Sequence, residues 1–165
     1  MAELWLDHGY EEMDLMTQDG HQALIHTIRV DQIEYGILYV PINAGFFAEQ
    51  ELVEREIGRA LPLNCYELKF ALRRDFDGGL PSYTQPKDWP DLSLLTFRQS
   101  MALAQGIFQS SWMLRRNKDV RGLVMVALEE RPKLAAYYGC LLRKYQGQLG
   151  FNVYQVLEGK GYVLF

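Results

Sequence analysis

Three histidines, two cysteines and 21 Asp and Glu side chains are the residues of this 165-residue chain that could hold a metal or carry acid–base and nucleophilic chemistry. Their spacing ties few of them together. His8, His21 and His26 have no Cys, Asp or Glu beside them in a recognised ligand arrangement. On a strand, His21 and His26 would point to opposite faces, so no metal site is expected. Asp75-Phe76-Asp77-Gly78-Gly79 has the start of a calcium loop but lacks the later acidic ligands and the closing Glu, and reads as a polar turn. Nucleophilic catalysis needs a Ser, Thr or Cys beside a positioned base, and no Gly-x-Ser-x-Gly elbow is present. Cys65 precedes a strand and Cys140 sits among Tyr137, Tyr138 and Leu141 on the apolar side of a helix, so both read as buried thiols. Glu11-Glu12 and Glu129-Glu130 are neighbours in sequence and read as solvated faces. Gly159-Lys160-Gly161 reads as a hairpin turn rather than a phosphate loop. Asn43-Ala44-Gly45 precedes a helix whose exposed N–H groups could hold an anion, but Glu49 and Glu51 would oppose a phosphate there. No catalytic residue is assigned and no cofactor is expected.

The elements that would position these residues follow from periodicity. Residues 22 to 42 predict two strands broken near Val30-Asp31-Gln32. Phe46, Val53, Ile57 and Leu61 fall on one helical stripe that Pro62 ends. Tyr66, Leu68, Phe70 and Leu72 alternate with Glu67, Lys69, Ala71 and Arg73, predicting a strand with one buried face. Asp75 to Pro90 reads as one long loop bearing Tyr83 and Trp89, and loops of that length are often functional. Asp91 can cap a helix that buries Leu94, Phe97, Met101, Ala104, Phe108 and Trp112. The segment from Asp119 to Leu128 reads as a capped helix, although Val124-Met125-Val126 would also suit a buried strand. Pro132 starts a further helix carrying Leu134, Tyr138, Leu141, Leu142 and Tyr145, which Gly147 or Gly150 ends. The tail predicts a hairpin, with Phe151 to Leu157 and Tyr162 to Phe165 around Glu158–Gly161. The fold class expected is α+β, a mostly antiparallel sheet covered by about four helices. Residues 1–165 form one domain in this reading, with the loop at about 75–91 separating a strand-rich acidic half from a helical basic half.

Arg55-Glu56-Ile57-Gly58-Arg59-Ala60 resembles the Arg/Gln-x-x-Gly-x-Gly/Ala signature of the Gcn5-related N-acetyltransferases, over six residues of the chain. The resemblance implies a motif between a strand and the following helix, with backbone N–H groups meeting the pyrophosphate of acetyl coenzyme A. With a strand at 123–128, the chain through Leu149-Gly150-Phe151 would resemble that family's closing strand–helix–strand unit, with Tyr137 or Tyr138 as proton donor.

Charge gives a different lead. Residues 1–80 hold 15 Asp and Glu against 6 Lys and Arg, and residues 81–165 hold 6 against 11, so the halves carry −9 and +5. Fields of one sign steer macromolecular encounters. Arg115, Arg116, Lys118 and Arg121 cluster at one helix junction, and together with Tyr83 and Trp89 they are the expected contact residues. The function expected is that of a non-catalytic interaction protein, an accessory or adaptor subunit binding a protein partner or a second copy of itself. Nucleic-acid binding is the first alternative, opposed by a sequence pI of about 5.4. The acetyltransferase is the second. Charge reversal at Arg115 and Arg116 is expected to abolish capture without lowering thermal stability. The acidic start shows no export signal, and the longest aliphatic run, Leu123 to Leu128, is far short of the roughly 20 residues that cross a bilayer. A cytoplasmic protein without membrane attachment is expected.

Overall fold

Two runs of β-branched and aromatic residues flank Asp31-Gln32, and they form the longest hairpin of the molecule. The computed structural model describes residues 2–76, 81, 83–127 and 132–165. Strands β1 (Leu4–Leu6) and β2 (Glu11–Asp14) both lie antiparallel on β3 (Gln22–Val30), which pairs with β4 (Ile33–Pro41). Helix α1 (Gln50–Ile57), strand β5 (Cys65–Leu72), helix α2 (Phe97–Lys118) and strand β6 (Gly122–Val126) follow. Helix α3 (Pro132–Leu149) then leads to the hairpin of β7 (Val153–Val156) and β8 (Gly161–Leu164). The fold is α+β, and its eight-stranded sheet has the order β1-β3-β4-β5-β6-β8-β7, with β2 also on β3. Strands β5 and β6 run parallel, whereas β1 and β2 on β3, β3 with β4, β6 with β8 and β7 with β8 are antiparallel. No helix among the described residues is long and apolar enough to cross a membrane.

The chain divides into two compact units that interleave in sequence, Met1–Tyr39 with Lys69–Ser110 and Val40–Leu68 with Ser111–Phe165. In the first unit the face of β3 bearing His26, Ile28 and Val30 is fully buried. Gly106 of α2 allows close approach there, because a Cβ at that position would lie 2.7 Å from Ile28 Cδ1. In the second unit Val53 of α1 packs with Ile42, Phe47, Leu61, Cys65, Val124, Val156 and Val163. The first unit carries 12 Asp and Glu against 6 Lys and Arg, net −6, and the second 9 against 11, net +2. The acidic helix α1 thus belongs to the same unit as the basic residues, and much of the charge asymmetry is balanced within that unit.

Six expectations need correction, the first being the start of α2, which lies at Phe97 and not just after Asp91, whose carboxylate is held by Arg74. Residues 122–126 are a strand, not part of a helix, because both faces of Leu123, Val124 and Met125 are covered. Helix α1 stops earlier than Pro62: Gly58 adopts a left-handed conformation (φ 75°), and its N–H and that of Arg59 both donate to Glu54 O. Phe46 is exposed and Leu61 lies beyond the helix. Strand β5 buries Cys65, Glu67 and Ala71 as well as Leu68 and Leu72, so its second face is not open to solvent. The buried stripe of α2 runs through Leu103, Ile107, Ser110 and Leu114, while Leu94, Phe97 and Trp112 are 69%, 80% and 40% exposed. Cys65 is buried, with its thiol pushed up to about 12 by burial, but Cys140 is exposed. The sequence reading also missed β1 and β2, which are short and mostly polar. Asp77, Gly78, Gly79, Glu129 and Glu130 lie outside the described residues.

Candidate interaction surface

A basic run at the end of a helix has an ordinary electrostatic cause, since cations favour the negative end of the helix dipole. What matters is which of these side chains stay available. Asn64 fixes the end of α2: its Nδ2 donates to Lys118 O at 2.8 Å and to Asp119 O at 2.6 Å, and its own carbonyl accepts from Arg121 N at 3.0 Å. Asp119 turns the chain with φ 50°, and β6 begins three residues later, pairing Gly122 with Cys65. The basic side chains from Arg115 to Arg121 are therefore carried by the last turn of α2 and a fastened connection to β6.

Arg115 and Arg121 are occupied. The Arg115 guanidinium donates through Nη1 to Leu149 O, the last residue of α3, and lies 3.8 Å from the centroid of Phe151. Arg121 pairs with Asp119 at 3.2 Å. Arg116 and Lys118 are exposed and form no ion pair with a described residue. Arg116 lies over the ring of Trp112, one helical turn earlier, at 4.6 Å. On the same unit Lys133, Arg143 and Lys144 of α3 are also exposed. What remains exposed is thus the Arg116 guanidinium over the Trp112 ring, and Lys118 at the last position of the helix. Trp112 was missed by sequence reasoning because its spacing matched the expected core stripe.

Tyr83 and Trp89 lie in the first unit and are half-buried. Trp89 Nε1 donates to Thr84 Oγ1 at 2.8 Å, and Thr84 donates from N and Oγ1 to Asp75, which is buried. Arg74 lies 4.7 Å from the Trp89 ring and bonds both carboxylate oxygens of Asp91, at 2.8 and 3.0 Å. That charge-assisted pair lowers the Asp91 carboxyl below the usual range. Lys69 lies 5.8 Å from the Tyr83 ring. These contacts hold the loop to its own unit.

The acetyltransferase-like fragment Arg55–Ala60 spans the end of α1 and precedes β5, so it joins helix to strand. The amides of Gly58 and Arg59 are spent on Glu54 O and do not form an open anion cradle. Tyr138 is fully buried and Tyr137 half-buried. Among the described residues no group of three His, Cys, Asp or Glu side chains is placed to hold a metal. No family model, no curated protein and no solved structure matches the chain.

Proposed function

We propose that the protein is a non-catalytic binding subunit that holds a protein partner through the end of α2, with Trp112, Arg116 and Lys118 as its contact residues. The observation that carries this reading is the exposed stack of Arg116 on Trp112. Trp and Arg are the residue types that dominate binding energy at interfaces, and a guanidinium over an aromatic face is preorganised for a partner carboxylate. The turn fastened by Asn64 lowers the cost of ordering these groups on binding.

An affinity pull-down from the source cells is expected to retain its partner after nuclease treatment. The double variant Arg116→Glu/Lys118→Glu should lose that partner while its melting temperature stays within about 2 °C of the parent, as surface substitutions usually do. Capture that disappears with nuclease would transfer the surface to nucleic acid, and capture that survives in the double variant would remove it from the interface.

A second reading is favoured by β6. The run of β6, α3 and β7 is the strand–helix–strand unit that the acetyltransferase resemblance requires. Under the binding-subunit reading, millimolar acetyl coenzyme A leaves the melting temperature unchanged. Occupancy at a hundredfold excess over the dissociation constant would instead add about 2.7 kcal/mol, a shift of several degrees.

A further inference from the structure

Strand β7 is the last of the sheet, and only β8 lies beside it. Its sequence Val153-Tyr154-Gln155-Val156 holds no charge and no proline, the usual means of blunting an open edge. Strand β2 shows the contrast, since Glu11, Glu12 and Asp14 fill all its positions but one. The phase of the β7–β8 ladder follows from Asn152 and Phe165, which exchange both backbone bonds at 3.1 and 3.2 Å. Antiparallel pairs alternate, so Tyr154 and Val156 turn their N–H and C=O groups toward β8, whereas Val153 and Gln155 turn theirs outward. The next outward group, Leu157 N, is closed by Glu56 Oε2 at 2.9 Å. The N–H and C=O of Val153 and Gln155 therefore stand open, on a strand whose Tyr154 and Gln155 are exposed.

The two ends of this strand carry opposite charge. Where the chain enters it, the Arg115 guanidinium lies 3.8 Å from the Phe151 centroid. Where the chain leaves it stand Glu56, bonded to Leu157 N, and Glu158. A cleft of about 400 Å³ lies beside the acidic end, lined by Glu56 and residues 155–159. Between the ends Tyr154 stacks on Phe165 at a centroid distance of 5.0 Å, and Arg59 lies 4.6 Å from the same ring. A second β7 laid antiparallel brings the acidic end of each strand to the basic end of the other. A parallel one would set like charge beside like.

We propose that two copies of this chain associate through β7, antiparallel about a two-fold axis at Tyr154, so that the sheet continues from one copy into the other. Val153 of each copy pairs with Gln155 of the other, and every open N–H and C=O finds a partner. Tyr154 meets its own copy at a non-hydrogen-bonded position, where Cα atoms approach to about 4.5 Å and aromatic side chains pair well. Leu157 comes opposite Phe151 of the second copy, which sets Glu56 and Glu158 of one beside Arg115 of the other. Arg115 has five N–H donors, and the bond to Leu149 O uses only Nη1. A register centred on Gln155 would need Leu157 N and displace Glu56, so the axis falls at Tyr154. A contact made by one strand with itself closes at the dimer and builds no filament.

Sedimentation equilibrium of the full chain at up to about 100 μM tests the pairing, since mass action favours the dimer as concentration rises. The parent should sediment as a dimer at the upper end of that range. Gln155→Pro removes an outward N–H while Tyr154 and Val156 keep their bonds to β8, and proline is tolerated on an edge strand. It should weaken dimerisation by about tenfold or more, and so should Tyr154→Lys, which sets like charges on the axis. Circular dichroism shows which variants fold, and a folded one decides. The register has its own readout: oxidised Cys140→Ser/Tyr154→Cys should give a covalent dimer, because a Cα separation of about 4.5 Å admits a disulfide. A parent that stays monomeric at about 100 μM gives the edge to an extended segment of another protein and overturns the proposal. A dimer that survives in folded Gln155→Pro or Tyr154→Lys, or a cysteine variant that forms no covalent dimer, overturns it as well.

Discussion

Arg115→Glu is expected to lower the melting temperature by roughly 6–12 °C, while Arg116→Glu one residue on leaves it within about 2 °C. The difference comes from what each guanidinium touches. Arg115 satisfies the carbonyl of Leu149 at the end of α3 and stacks on Phe151 immediately beyond it. A hydrogen bond to a charged group contributes about 1.5–3 kcal/mol and a cation–π contact about 0.5–1 kcal/mol, so their loss sums to about 3 kcal/mol. A glutamate adds repulsion, because its carboxylate would face the same carbonyl. Gly150 shows how closely the guanidinium packs: its φ is 73°, and a Cβ there would lie 3.1 Å from Arg115 Nη1. Arg116 contacts Trp112 on an exposed surface and closes no carbonyl. Thermal unfolding followed by circular dichroism distinguishes them, and an Arg115→Glu protein that melts with the parent would remove Arg115 from the fold's supports. Such a loss would overturn the expectation that reversal at Arg115 spares stability. The interface test belongs at Arg116 and Lys118.

The basic cluster was legible in the sequence as a cluster, but its division was not. Arg115 and Arg116 are neighbours of one type, and what separates them is Leu149, 34 residues away. Only tertiary placement reveals that. Trp112 illustrates the opposite error. Its spacing with Phe108, Met101 and Phe97 imitates a core stripe, while the true stripe contains Ser110 and borders Ala102, Gly106 and Ser111. Small residues allow α2 to approach β3 closely, and a search for large apolar groups passes over them. The hairpins and α3 were readable because turn residues and strict periodicity agree locally, at Asp31-Gln32 and at Gly150 (φ 73°). His26 was visible as a residue, but its contact with the Asp7 carbonyl depends on strands too short to announce themselves.

Val124→Asp is expected to unfold the protein, because residues 122–126 are a central strand. As a helix, Asp119 to Leu128 would turn a quarter or more of its side chains to water, and a carboxylate could be accommodated by rotation or fraying. As β6, Val124 is fully buried among Ile42, Phe47, Val53, Leu61, Cys65, Val156 and Val163, and it pairs with Glu67 on one side and Val163 on the other. Neither face of the strand offers an exit. A carboxylate there loses hydration with no partner, and substitutions of this kind commonly exceed about 4–5 kcal/mol. A domain whose whole stability is about 5–15 kcal/mol has little margin against that. Val124→Ile, which keeps the apolar character, should retain most of the parent's stability, with a cost below about 3 kcal/mol for the added methylene. A soluble Val124→Asp protein melting within a few degrees of the parent would return this segment to the surface. Short apolar runs bounded by turn residues do not themselves distinguish helix from strand, since a strand covered on both faces loses the alternation that would mark it. What decides here is the chain on either side: the turn at Asn64 and Asp119 delivers Gly122 beside Cys65. A Cβ at Gly122 would lie 3.0 Å from Pro62 Cγ and 3.1 Å from Cys65 Sγ. That glycine admits the strand to its place, and the apolar run behind it fills the core of the second unit.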